Sequence, residues 1–161
     1  MQSKILSLDA LKQVVGDARK NGKKVVFTNG CFDLLHVGHV TYLEAARACG
    51  DLLVVGVNSD RSVQIIKGKK RPVVTQSHRA AVLAALLSVD YVTVFDAPDP
   101  YNIISALMPH VLVKGADWAE SDIIGADVVV ENGGRVERIA LAPEISTSII
   151  IEKILQNYGA T

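Results

Sequence analysis

A chain of 161 residues that is 49% hydrophobic and 21% charged is long enough to bury one proper core and too apolar to stay disordered. Seventeen basic residues balance seventeen acidic ones, which excludes a global positive field that would recruit nucleic acid, so any anion site must be built locally. Two cysteines make no disulfide framework, Met1-Gln2-Ser3-Lys4-Ile5 lacks the apolar core of a secretion signal, and no run reaches membrane-spanning length; a reducing cytoplasm and no membrane contact are expected.

Leu8, Leu11, Val14, Val15 and Ala18 recur at helical spacing until Gly22, predicting a helical extension within residues 1–24 that packs on the sheet or on a partner subunit. Lys24-Val25-Val26-Phe27-Thr28 has the β-branched and aromatic content of a buried strand, broken by Asn29-Gly30-Cys31-Phe32-Asp33. A helix follows from about Gly38, with Val40, Leu43, Ala46 and Arg47 at helical spacing. Gly50-Asp51 turns the chain into a second apolar strand, Leu52–Val57. From Ser59 to Thr75 the composition changes: Lys67, Lys69, Lys70 and Arg71 crowd a stretch with Gly68 and Pro72, read as a mobile basic loop. Arg79 opens the next helix, with Ala80, Leu83, Leu86 and Leu87 facing inward, before the strand Tyr91–Phe95. Ile103, Ile104 and Leu107 mark a helix ended by Pro109, and Val111–Gly115 forms a further strand. The segments Asp127–Val130 and Arg135–Ile139 around Asn132-Gly133-Gly134 fit either a hairpin or a short helix followed by a last strand. Ser146 caps a final helix holding Ile149, Ile150 and Ile154. Apolar strands alternating with helices predict one α/β domain over residues 1–161, a Rossmann-like open parallel sheet of about five strands with helices on both faces.

His36-Val37-Gly38-His39 lies where the first strand's carboxyl end feeds a helix N-terminus, the crevice in which open α/β sheets bind ligands and exposed N–H groups attract phosphate. Zinc would need further ligands, and no paired Cys-x-x-Cys accompanies the histidines, so no protein-held metal is expected. Ser146, Thr147 and Ser148 open an apolar helix. Any one of them could be an ordinary cap, but three hydroxyl residues together point to a second anion site.

The stretch Thr28-Asn29-Gly30-Cys31-Phe32-Asp33-Leu34-Leu35-His36-Val37-Gly38-His39 resembles the signature of the nucleotidyltransferase superfamily typified by cytidylyltransferases. Gly56-Val57-Asn58-Ser59-Asp60, Lys67-Gly68-x-x-Arg71-Pro72, Val89-Asp90-Tyr91-Val92, Val111-Leu112-Val113-Lys114-Gly115 and Ser146-Thr147-Ser148-x-Ile150 follow in the order found in D-glycero-β-D-manno-heptose 1-phosphate adenylyltransferases, a likeness running from about Val25 to Ile154. The resemblance implies transfer of AMP from ATP to a heptose 1-phosphate, with Mg²⁺ carried on the ATP and pyrophosphate released. It also implies that His36, His39 and Lys67 are catalytic. Thr28, Asn29, Gly30, Phe32, Gly38, Arg79, Lys114, Ser146, Thr147 and Ser148 are implied to bind nucleotide or phosphate. Lys67, or a neighbour in a basic lid, is expected to meet the departing phosphates. Such a reaction demands no enzyme nucleophile, so Cys31 is read as a small loop or core residue. Asp117 is either a nucleoside or ribose contact or a solvated turn aspartate. The subfamily usually carries Gly and Tyr where this chain has Ala116 and Trp118.

Cytidylyltransferases of the superfamily place an arginine that helps read cytosine in Arg-Thr-x-Gly-Ile-Ser-Thr, where this chain has Leu141-Ala142-Pro143-Glu144-Ile145-Ser146-Thr147. Leucine cannot donate to a cytosine carbonyl, and an apolar stretch can pack on a purine, which favours ATP over CTP. The alternative is a cytidylyltransferase for a small polyol or amino-alcohol phosphate. Bifunctional relatives place a sugar kinase ahead of this domain; the start at Met1 leads to the expectation of a separate kinase. A homodimer is expected, and the resemblance implies a role in lipopolysaccharide or other surface-glycan synthesis.

Overall fold

The computed structural model describes residues 4–140 and 144–159. Five parallel strands form one sheet: β1 (Val25–Gly30), β2 (Leu52–Asn58), β3 (Tyr91–Phe95), β4 (Val111–Gly115) and β5 (Arg135–Ile139), in the order β3-β2-β1-β4-β5. The chain winds outward through β2 and β3, then returns to place β4 on the other side of β1. That reversal between β1 and β4 is the topological switch point, where loops diverge and a crevice opens at the strands' carboxyl ends.

Alternation along the strands sends side chains to two covered faces. Val26, Leu53, Val55, Val111 and Val113 pack with Tyr42, Leu43 and Ala46 of α2 (Val37–Arg47) and with Ala80, Leu83 and Ala84 of α4 (Gln76–Ala84). On the other face Val25, Phe27, Val54 and Leu112 meet Leu11, Val15 and Ala18 of α1 (Leu8–Lys20) and Ile103, Ile104 and Leu107 of α5 (Tyr101–Leu107). The leading helix therefore packs on the sheet. Burial on both faces explains the continuous apolar strand sequences. No helix among the described residues is long and apolar enough to cross a membrane.

Three readings sharpen or change. The Asn132-Gly133-Gly134 turn joins a helix, α6 (Ala126–Glu131), to the parallel strand β5, so the hairpin alternative falls. The basic stretch is not loop throughout: α3 (Asp60–Lys67) occupies its first half, capped by Ser59 and seated by buried Ser62 and Val63. Its lysines and glycine lie at and beyond the helix end, which is why composition hid it. Leu87 is fully exposed instead of inward-facing, because α4 ends at Ala84 and the chain leaves helical register before reaching it. The last helix, α7 (Thr147–Tyr158), buries none of its residues.

Candidate active site

A cleft of about 700 Å³ opens at the switch point, floored by the ends of β1 and β4 and walled by the N-termini of α2 and α7. Asn29 and Gly30 finish β1, and Phe32 turns the loop in the left-handed region at φ 47°. A Cβ on Gly30 would come within 3.1 Å of the Phe32 ring, so the glycine lets that ring fold back beneath the loop. Gly38 is similarly constrained, because a Cβ there would meet the His36 ring at 3.1 Å and Ile145 Cγ2, from the approach to α7, at 3.4 Å. The two walls touch at that glycine.

His36 is the N-cap of α2, its carbonyl accepting from the His39 and Val40 amides, while its side chain makes no capping bond. The His36 and His39 rings lie 3.9 Å apart between centroids, and both Nδ1 atoms are buried without a hydrogen-bond partner. Burial lowers the affinity of His36 for a proton; burial and then the neighbouring His36 push His39 down to about 4. Both imidazoles are therefore neutral at pH 7, donors of one N–H each and not cations.

Asp33, which the motif includes without a role, organises the cleft wall. Its buried carboxylate accepts from Arg71 Nε at 2.5 Å and from the Val73 and Val74 amides at 2.8 and 2.9 Å. Burial pushes its pKa up, but the bonds from Val74, Val73 and Arg71 outweigh that and hold it below the usual carboxylate range. Asp33 thus pins the far end of the basic segment to the loop that follows β1, while Lys67 remains exposed at the cleft edge. The signal was available: a carboxylate in the short loop between a buried strand and a helix needs a cation of its own, and Arg71 supplies it.

Arg79 does not line the cleft. It is fully buried, with its guanidinium spent on the Cys31 and Val74 carbonyls and on Asp60. It supports the loop after β1 from behind, through the Cys31 carbonyl. Thr28 is likewise buried beneath the floor, its hydroxyl bonded to Tyr42 Oη at 2.8 Å and to the Val113 carbonyl. These bonds tie β1, α2 and β4 together.

On the floor itself, the Lys114 Nζ donates to Asn29 Oδ1 at 2.5 Å and lies 5.9 Å from the Trp118 ring centroid. Burial pushes the lysine down to about 8. Asp117 is exposed at the cleft margin. Ser146 caps α7 by accepting from the Ile149 amide at 3.2 Å, the Thr147 hydroxyl donates to the Leu34 carbonyl at 3.4 Å, and Ser148 is exposed. The cleft so gathers His36, His39, Lys67, Asn29, Gly30, Phe32, Gly38, Lys114, Asp117, Ser146, Thr147 and Ser148, and omits Thr28 and Arg79. Leu141, Ala142 and Pro143 lie outside the described residues.

Comparison with known proteins adds to this geometry. The cytidylyltransferase-like family model matches residues 27–153. Proteins named bifunctional protein HldE from Geobacter sulfurreducens and Citrifermentans bemidjiense are 54% and 53% identical over 98% and 97% of this chain, which spans about a third of their length (32% of each). A crystal structure described as the lipopolysaccharide core biosynthesis protein from Thermoplasma volcanium matches with a TM-score of 0.61 and 27% identity, covering 74% of this chain and 97% of that one. A protein of unknown function from Archaeoglobus fulgidus matches at a TM-score of 0.55 and 20% identity, a likeness of fold alone.

Proposed function

This chain belongs to the cytidylyltransferase-like family and is a nucleotidyltransferase, and from that premise we propose that it transfers AMP from ATP to D-glycero-β-D-manno-heptose 1-phosphate, giving ADP-heptose and pyrophosphate. The observation that carries the reading is a single cleft into which two helix N-termini and a buried lysine converge, a geometry suited to two polyanions held together. The names of the relatives, a bifunctional HldE protein and a lipopolysaccharide core biosynthesis protein, support a surface-glycan sugar as acceptor.

In this reading His36 and His39 donate to triphosphate oxygens, while Gly30 and Gly38 shape the phosphate site by making room for the Phe32 ring and for the His36 ring and Ile145. Phe32 shapes the loop, and the α7 start at Ser146–Ser148 holds a second stretch of the anion. Lys67 meets the departing pyrophosphate, and Asp117 takes nucleoside hydroxyls. Thr28 and Arg79 act from beneath, fixing the loop. Mg²⁺ would arrive on the triphosphate and neutralise part of its charge. The residues fit a metal that comes with its substrate, because Asp33 is already spent on Arg71 and backbone amides, and Asp117 stands at the margin. Cytoplasmic residence completes the reading.

The test is pyrophosphate release from ATP and CTP against a panel of sugar 1-phosphates and polyol phosphates. ATP with a heptose 1-phosphate is expected to give the highest kcat/KM. Turnover confined to CTP and a polyol phosphate overturns it.

A further inference from the structure

Lys114 stands out among the charged groups of the cleft. Its residue is 9% exposed, its ammonium rests on a neutral amide oxygen, and no carboxylate among the described residues pairs with it. The other cations differ: Arg71 is paired with Asp33, Lys67 is exposed, and the two imidazoles are uncharged at pH 7. A buried ammonium without a counter-ion is costly to keep, and a ligand anion placed beside it is screened far less than at the surface.

Its position identifies the anion. Asn29, which holds the ammonium, leads directly into Gly30 and the loop that carries His36 and His39. On the other side, the turn after Lys114 carries Asp117 and Trp118 at the cleft margin. Lys114 is therefore joined through Asn29 to the loop whose histidines are proposed for the triphosphate, and through its own turn to Asp117, proposed for the nucleoside. The group that joins those two parts of a nucleotide is the α-phosphate.

We propose that Lys114 is a catalytic residue whose ammonium binds a non-bridging oxygen of the nucleotide α-phosphate and stabilises the charge gathered there during transfer. An oxygen of the acceptor phosphate forms the new bond to the α-phosphorus, the bond from that phosphorus to the α,β-bridging oxygen breaks, and pyrophosphate leaves with the electron pair. No proton has to move, so the contribution of Lys114 is charge and position. The assignment rests on the nucleotidyl-transfer reading and sharpens it by naming the phosphate.

The experiment first establishes which nucleotide the wild type uses, then compares wild type, Lys114→Met and Lys114→Gln with that nucleotide and with its two α-phosphorothioate diastereomers. A preference for CTP overturns the ATP reading but leaves this comparison intact. The expected result for Lys114→Met is a kcat lower by about a hundredfold or more with a KM for nucleotide within a few-fold of wild type. The wild-type preference for one diastereomer is expected to shrink by about tenfold in both variants, because the contact sensitive to sulfur is already gone. The melting temperature of Lys114→Met should be equal to or above that of wild type, since an uncompensated buried charge has been removed. An unchanged diastereomer preference, or an intact kcat with a raised KM for the acceptor, overturns the proposal.

Discussion

The two helix N-termini that face the cleft, both proposed to meet anions, are built in opposite ways. At α2 the cap residue is a histidine without a capping bond, two Nδ1 atoms lie buried and unpartnered, and the helix is seated by Gly38, Tyr42, Leu43 and Ala46. At α7 the cap hydroxyl is satisfied by the Ile149 amide, Thr147 is bonded to Leu34, and nothing along the helix is buried. Packing holds α2, so its polar atoms can be left free for a ligand. Hydrogen bonds at its first turn, not burial, tie α7 to the rest of the protein. The partial positive charge of a helix start is common to both; what differs is whether the protein or the ligand completes it.

The largest expected effect tests the α2 side. Changing His39→Ala should lower kcat by about a hundredfold or more, the usual consequence of removing a preorganised donor at a reacting phosphate. The fold should survive, because the lost Nδ1 has no partner to leave behind. Steady-state kinetics with a thermal melt check both halves. A variant with near wild-type turnover would remove the distinction between the two helix starts.

Next in size is Asp33→Asn, which keeps the shape but removes the charge that holds Arg71 and faces the Val73 and Val74 amides. Loss of a buried charge-assisted cluster of this kind should destabilise the protein by about 2–3 kcal/mol. Denaturant melts measure that, and hydrogen exchange should show the 71–74 segment losing protection first. A loss confined to α7 would mean that the basic segment is tied to the wrong wall.

A smaller effect is expected at α7. Ser146→Ala removes one cap bond, worth about 1 kcal/mol, from a helix with no buried side chain. Exchange should accelerate at the first amides of α7 while the global melt barely moves, and kcat/KM for ATP should fall by roughly tenfold, the equivalent of one modest interaction. A global loss of stability would show that α7 is as firmly seated as α2.

Much of this contrast was legible in the sequence. The strand-to-helix junction at Asn29–His39 announces itself through apolar periodicity broken by glycine and asparagine, and Ser146-Thr147-Ser148 before an apolar run announces the second start. What was not legible is long-range pairing. Asp33 with Arg71 spans 38 residues and Lys114 with Asn29 spans 85, separations that no local pattern encodes. The family resemblance implies Arg79 at phosphate, yet the Cys31, Val74 and Asp60 oxygens take up its guanidinium and it is fully buried. Charge type gives the chemistry a residue can do; only the fold decides whether a ligand or the protein receives it.

The last prediction turns on the protonation of the α2 start. His39 binds a proton near pH 4 when folded and near 6.5 when unfolded, so between those values the unfolded chain takes up a proton that the folded protein refuses. Stability is therefore lost as pH falls from 6.5 towards 4, and His36, shifted in the same direction, adds to the loss. Asp33, held low when folded, costs stability in acid as well, so the histidine contribution has to be isolated by difference. The melting temperatures of wild type and His39→Gln at pH 7 and pH 5 supply that difference, and the variant should lose less on acidification. The first turn of α7 holds Thr147, Ser148, Ile149 and Ile150, none of them titratable in this range, so Ser146→Ala should keep the wild-type slope. The rate should likewise show no inflection near pH 6.5 that His39→Gln removes. Equal acid sensitivity in wild type and His39→Gln would mean that the folded protein carries a protonated His39, making the α2 start a charged donor and erasing the contrast with α7 that the geometry implies.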